Sequence, residues 1–110
     1  MSKKDIRRNF RDSVFKRDKY ACVMCGKKSS PEKIMEEMDC HHVMDRSDMP
    51  NQGYTPLNGI TLCKDTCHLN AEYFHIYGKP LPGWSPEDLY KKIGSSLDLA
   101  IEASEKLSEE

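Results

Sequence analysis

The chain has 110 residues, of which 37% are hydrophobic and 32% are charged, and its formal net charge is −1. A chain this short and polar is expected to form a single domain over residues 1–110, and small domains often depend on a metal or a disulfide for stability. The N-terminus has no apolar signal segment and no run is long enough to cross a bilayer, so we expect a cytoplasmic protein with reduced cysteines.

A basic helix is predicted near the N-terminus, over residues 5–17. Its apolar residues recur at helical spacing and arginines occupy its other faces: Ile6, Phe10 and Val14 against Arg7, Arg8 and Arg11. Residues 1–28 carry ten of the 17 Lys and Arg residues but three of the 18 Asp and Glu residues. This charge suits a polyanionic partner, and it is equally compatible with a solvated helix face.

A hairpin and a helix are predicted in the middle of the chain. Residues 36–43 and 57–62 have the composition of two short strands. The helix is expected to begin at residues 65–66, where Asp and Thr are both capping residues, and to end at Gly78. Its core face is expected to consist of three apolar residues: Leu69, Tyr73 and Ile76.

A helical extension is predicted at the C-terminus, over residues 84–107. Ser85 can cap it, Pro86 suits its first position, and Asp88 is placed to complete a capping box. Residues 94–96 can split its apolar stripe in two: Leu89, Ile93, Leu97 and Ile101. We expect this stripe to cover the core, with a dimer contact as the alternative, and the acidic final residues to fray.

Four of the five cysteines form two close pairs, Cys22 with Cys25 and Cys63 with Cys67. Four thiolates in this arrangement are typical of a structural zinc site, which stabilises a fold directly. An iron–sulfur or redox site is the weaker alternative. Cys63 and Cys67 are four residues apart, so one helical turn could present both sulfurs on the same side. Cys40 is left over and is expected to pack as a small apolar residue.

The four histidines are not needed by such a zinc site. By spacing, His68, Glu72 and His75 share one helical face, and this composition suits a hard metal or a phosphate. His41 and His42 are neighbours on an extended segment, so their side chains diverge. We therefore expect one of them to bind a metal and the other to act as a general base.

The order of these residues resembles that of the HNH nuclease family, whose ββα-metal fold is also called the His-Me finger. The resemblance is strongest to the zinc-stapled branch that includes McrA-like restriction proteins and phage-encoded HNH nucleases, and it covers residues 7–76. It depends on the following matches: Arg11, Arg17-Asp18, Cys22, Cys25-Gly26, His41-His42-Val43, Gly53, Asn58, Leu62-Cys63 and Cys67-His68. It implies a small α+β domain with a nuclease core over 7–76 and the helical extension outside it.

The resemblance also implies roles for individual residues. His42 would be the general base, and Asn58 would support the hairpin and orient His42. His41 and His68 would bind the catalytic metal, with two further candidate ligands in the helix: Glu72 and His75. Two features depart from the family pattern: three residues rather than two separate the second cysteine pair, and a glutamate stands where some relatives have a second helical histidine.

The implied activity is metal-dependent endonuclease hydrolysis of DNA, with structural Zn²⁺ and catalytic Mg²⁺, Mn²⁺ or another divalent ion. Four arginines would contact phosphates without reading sequence: Arg7, Arg8, Arg11 and Arg17. The expected partner is nucleic acid, double-stranded DNA foremost, with the protein a monomer or weak homodimer and no membrane involved. The main alternative is a non-catalytic zinc-stapled module that binds nucleic acid or protein. A toxin-like nuclease with an immunity partner is a third possibility, without a delivery segment to support it.

Overall fold

An antiparallel hairpin lies at the centre of the fold. The computed structural model describes residues 2–107, and in it strand β1 (Met38–His42) pairs with strand β2 (Gly59–Cys63). Residues 36 and 37, expected to begin the first strand, instead end a short helix, α2 (Ile34–Glu37). The predicted hairpin is confirmed, and the fold is a small α+β arrangement of one two-stranded sheet and helices.

Two helices cover the two faces of this hairpin. They are α1 (Lys3–Arg17) and α3 (Cys67–Tyr77). The side chain of His42 contacts α1 and that of His41 contacts α3. Because successive residues of a strand point to opposite faces, the two neighbouring histidines lie in different layers of the protein.

The close approach of α1 to the hairpin depends on a glycine. Gly59, the residue paired with His42, is buried. A Cβ atom at this position would lie 2.7 Å from both Phe10 Cζ and Val14 Cγ2. The absence of a side chain at Gly59 therefore lets Phe10 pack directly over the strand end that carries His42.

The rotation of α3 differs from the prediction. Leu69, Tyr73 and Ile76 were expected in the core, but they are 61%, 37% and 67% exposed, so that prediction is wrong. The buried residues of the helix are Cys67 and Ala71, one turn apart. Cys67 directs its sulfur to the other cysteines. The three exposed residues lie about 200° around the helix axis from Cys67, so they face outward. The polar face of α3 turns toward the hairpin instead.

The connection between the strands folds as three short 3-10 turns: Arg46–Asp48, Pro50–Gly53 and Pro56–Asn58. Helices α4 (Pro86–Lys92) and α5 (Leu97–Glu105) follow α3, and α5 packs against the second and third of these turns. The two helices add three buried residues to the core: Leu89, Tyr90 and Ala100.

The boundaries of the extension follow its sequence signals. The predicted capping box is confirmed, since Ser85 and Asp88 each accept a hydrogen bond from the other's backbone N–H. The predicted split is also confirmed at Gly94, which has a φ of 70°. Residues 108–110, part of the acidic end expected to fray, lie outside the described residues. Within residues 2–107, no helix is both long enough and apolar enough to cross a membrane.

Candidate active site and metal centre

Four cysteine sulfurs converge at one end of the hairpin. The sulfurs of Cys22, Cys25, Cys63 and Cys67 all lie within 4.8 Å of one another, and all five cysteines are free thiols. Cys63 ends β2 and Cys67 begins α3, so the pair does not share a helical turn as expected. The extra residue between them still allows the four sulfurs to gather. Four thiols at this distance fit tetrahedral Zn²⁺.

Backbone hydrogen bonds hold this cysteine cluster against the sheet. The turn after Cys22 closes through Gly26, whose N–H donates to the Cys22 carbonyl at 2.9 Å and whose φ is 81°. Val23 N–H donates to the Thr61 carbonyl of β2 at 3.0 Å. The amide of the first α3 residue donates to the Cys63 sulfur at 3.4 Å. This amide is placed to donate a charge-assisted hydrogen bond to a metal-bound sulfur.

A second donor cluster lies between β1 and α3. Ligand atoms of His41, Glu72 and His75 lie within 4.8 Å of one another. His41 is 2% exposed, and neither of its ring nitrogens has a hydrogen-bond partner among residues 2–107. Its Nδ1 lies 3.3 Å from Glu72 Oε1 without hydrogen-bond geometry. A buried polar atom left unpaired costs about 1–3 kcal/mol, and a ligand bound by the His41 ring would remove this cost.

The protonation state of His41 suits a metal. Burial lowers its pKa, with the neighbouring Glu72 acting in the opposite direction. The imidazole is therefore neutral near pH 7 and keeps a lone pair for coordination. Two imidazoles and one carboxylate are a donor set that fits divalent cations of the first transition row, Mn²⁺ among them, and the carboxylate oxygen also suits Mg²⁺.

The structure places His68 beside this cluster. Its Nδ1 lies 2.9 Å from Asp39 Oδ2, and its Nε2 lies 3.4 Å from Glu72 Oε1. The His68 and His41 rings are 5.2 Å apart between centroids. His68 therefore contacts a candidate ligand, Glu72, while Asp39 holds its other nitrogen. Sequence reasoning missed Asp39, although its position two residues before His41 on a strand puts both on one face.

His42 occupies an aromatic environment on the opposite face. Its ring stacks on Phe10 at 4.7 Å and meets Tyr54 edge-on at 5.0 Å. Its Nε2 is buried and has no hydrogen-bond partner within the described part of the chain. Burial lowers the pKa of His42 to about 4, so the ring is neutral at pH 7. The ring lines a groove of about 260 Å³, together with Arg7 and Arg11.

One contact connects the two faces. Nε2 of His75 lies 3.3 Å from the backbone oxygen of His42. When this nitrogen carries the ring proton it donates to the carbonyl, and Nδ1 is then the nitrogen with a free lone pair. The backbone of His42 is thus tied to the helix that carries Glu72 and His75.

Asn58 is fully buried and uses its whole side chain inside the fold. Its Oδ1 accepts from the Met44 amide at 3.0 Å and from the Tyr90 hydroxyl at 2.6 Å. Its Nδ2 donates to the carbonyls of Met44 and Gly53, at 3.1 and 3.3 Å. The four bonds hold the chain segment that follows β1, so Asn58 positions backbone and does not reach outward.

The four arginines expected to contact phosphates differ in their surroundings. Arg17 is engaged by the fold, because its guanidinium donates to the carbonyls of Pro56 and Gly59, each at 2.7 Å, and pairs with Asp18. Arg8 pairs with Asp5 in an exposed contact at 2.8 Å. The remaining two line the groove beside His42: Arg7 and Arg11.

The hairpin and the following helix enclose a buried histidine beside a four-cysteine cluster, which is an arrangement of the ββα-metal type with two clusters that could hold metal ions. Residues 22–74 match the family model described as HNH endonuclease. This segment is therefore similar to an HNH endonuclease domain, and the clustered cysteines are consistent with the zinc-stapled branch of that family. Neither a curated protein nor a solved structure matches the chain significantly.

Proposed function

We propose that this protein is a metal-dependent endonuclease that hydrolyses DNA phosphodiester bonds. The observation that carries the proposal is the buried imidazole of His41, which faces Glu72 and His75 with both nitrogens unpaired among the described residues. This arrangement costs stability unless a ligand occupies it. Its position inside an HNH domain favours a catalytic metal over a structural one.

We assign two metals to the two clusters. Zn²⁺ would be held by Cys22, Cys25, Cys63 and Cys67. A divalent ion such as Mg²⁺ or Mn²⁺ would be held by His41 together with Glu72 and His75, and His68 would orient Glu72 from its contact with Asp39. When bound, the second cation would supply positive charge that stabilises the negative charge developing on the scissile phosphate and the leaving oxygen.

His42 is the proposed general base. Its ring is neutral at pH 7 because burial lowers its pKa to about 4, and a neutral imidazole has a ring nitrogen that can accept a proton from the attacking water. Phe10 and Tyr54 restrict the orientation of the ring. The amide of Val43, the next residue, donates to the Asn58 carbonyl at 2.9 Å, which anchors the backbone on which His42 is carried.

The groove on the His42 side supplies the proposed contact with nucleic acid. Arg7 and Arg11 of α1 and Lys64 after β2 all line it. Such cations would bind phosphates of either strand without distinguishing bases. We propose double-stranded DNA as the substrate, bound by a monomer or a weak homodimer.

A plasmid-nicking assay tests the proposal. Wild-type protein is incubated with supercoiled DNA and Mg²⁺, Mn²⁺ or Ni²⁺, with EDTA as the control, and we expect cleavage with at least one metal. His42→Ala should lose cleavage but retain zinc and the second metal. His41→Ala, the adjacent substitution of the same kind, should lose cleavage and the second metal together.

Two results would contradict the assignment. If His42→Ala cleaves at the wild-type rate, His42 is not the base. If the wild-type protein cleaves with none of these metals, the non-catalytic binding module becomes the better description of the domain.

A further inference from the structure

A tyrosine from outside the HNH segment reaches the interior of the hairpin loop. Tyr90 belongs to α4, beyond the matched residues 22–74. It is 2% exposed, and its hydroxyl donates to Asn58 Oδ1 at 2.6 Å. Burial also raises the pKa of the phenol well above its usual range, so the hydroxyl stays protonated and able to donate.

The same Asn58 oxygen holds the segment that carries His42. Oδ1 accepts from the Met44 amide while Nδ2 donates to the Met44 carbonyl. Met44 lies two residues after His42, and Val43 between them donates to the Asn58 backbone carbonyl. The Tyr90 hydroxyl therefore donates directly to the side chain that holds this backbone. Without this hydroxyl, the Asn58 amide loses one of its four partners and with it part of its rotational restraint.

The extension has other hydrogen bonds to the same loop, which provide a comparison. Ser95 Oγ donates to the Leu57 carbonyl at 2.8 Å, and Asn51 Nδ2 donates to the Ser104 carbonyl at 2.9 Å. Both fasten the extension to the loop without contacting the Asn58 side chain. The bond from Tyr90 differs from them because it ends on that side chain.

We propose that Tyr90 is a positioning residue of the active site. It fixes the side-chain amide of Asn58 and, through Asn58, the backbone of residues 42–44. On this proposal, helix α4 supports the active site as well as the hydrophobic core. The consequence for cleavage rests on the proposed role of His42, whereas the coupling from Tyr90 to Met44 does not.

Tyr90→Phe tests the proposal, with Ser95→Ala as the matched control. Tyr90→Phe keeps the ring in the core and removes only the donor to Asn58. Ser95→Ala removes a hydrogen bond between the same extension and the same loop. We expect Tyr90→Phe to lower kcat about 10-fold or more with KM unchanged, as displaced supporting groups do. Ser95→Ala should leave kcat within about two-fold of the wild type. The two variants are compared under conditions in which far-UV circular dichroism shows that both are folded.

Amide hydrogen exchange provides a readout that is independent of cleavage. The Met44 amide should lose protection in Tyr90→Phe and keep it in Ser95→Ala. Equal kcat in Tyr90→Phe and wild type, or an equal fall in both variants, would overturn the positioning role. If the wild type does not cleave DNA, the proposed function fails, and the exchange comparison still decides the coupling: unchanged Met44 protection in Tyr90→Phe would refute it.

Discussion

Arg17 Nη2 donates a 2.7 Å hydrogen bond to the carbonyl of Gly59, the residue that pairs with His42 across the hairpin. The same guanidinium reaches the Pro56 carbonyl, and Asp18 beside it accepts from the Thr61 amide at 3.0 Å. The end of α1 is thereby fastened to the start of β2. Arg17, which was expected to contact phosphates, therefore stabilises the hairpin instead.

Arg17→Lys should destabilise the protein with little effect on DNA binding. A lysine keeps the charge but cannot reproduce the planar fork that serves two carbonyls and Asp18. We expect the free energy of unfolding to fall by about 1–3 kcal/mol, measured by urea titration. Arg8→Lys is the control, since its exposed pair with Asp5 should contribute less than about 1 kcal/mol. Equal losses in the two variants would contradict the role assigned to Arg17.

Gly59→Ala should disturb the environment of His42. The added Cβ would lie 2.7 Å from both Phe10 Cζ and Val14 Cγ2, so α1 must move outward, and we expect a loss of about 1–3 kcal/mol. Combining it with Phe10→Ala should cost less than the sum of the two single changes, because the clash with the ring disappears. Urea denaturation of the four proteins gives this coupling, and strict additivity would refute the close contact.

Cys67→Ser should lose zinc while Cys40→Ser keeps it. Cys67 is one of the four clustered thiols, and removing one ligand leaves an incomplete tetrahedral site. We expect its melting temperature to fall by about 10 °C or more. Burial raises the pKa of Cys40 to about 12, so in the zinc-loaded protein this thiol should react slowly with a thiol reagent at pH 8. Zinc content by elemental analysis tests both variants, and equal zinc in the two would exclude the four-cysteine site.

Acid should destabilise the protein partly through His42. Its pKa is about 4 in the folded protein and about 6.5 in an unfolded chain. Between these values the unfolded state binds the extra proton, so stability is full above pH 6.5 and falls as the pH approaches 4. His42→Phe retains the stacking on Phe10 but removes this titration. Between pH 7 and pH 4.5, we expect the unfolding free energy of the wild type to fall by about 2–3 kcal/mol more than that of His42→Phe. Identical pH profiles from urea titrations would show that His42 is not buried as described.

The hairpin and the cysteine cluster could be predicted because their signals are local. Two short strand-like segments and two close cysteine pairs are visible in the sequence without knowledge of the fold. The rotation of α3 could not be predicted from its apolar residues, because Cys67 at its first position is constrained by three sulfurs from elsewhere. Asp39 was missed for a related reason, since its significance appears only when His68 lies opposite it.

The hydrogen-bond partners of the Asn58 side chain could not be predicted from the sequence. Its bond to Tyr90 joins residues 32 positions apart, and no motif marks the tyrosine. The engagement of Arg17 is similar, because its acceptors are backbone carbonyls, which every residue possesses. Contacts of this kind are specified by the packing of α1 and α4 on the loop, not by local residue patterns.

The separation of His41 and His42 onto opposite faces has a mechanical consequence. One peptide unit joins the candidate metal ligand to the proposed base, and consecutive Cα atoms across a trans peptide are always about 3.8 Å apart. Helices α1 and α3 can shift relative to each other, yet they cannot carry these two Cα atoms apart. The backbone positions of the candidate metal ligand and the proposed base are therefore kept at one separation by a peptide unit, while the placement of their rings depends on α3 and α1 respectively.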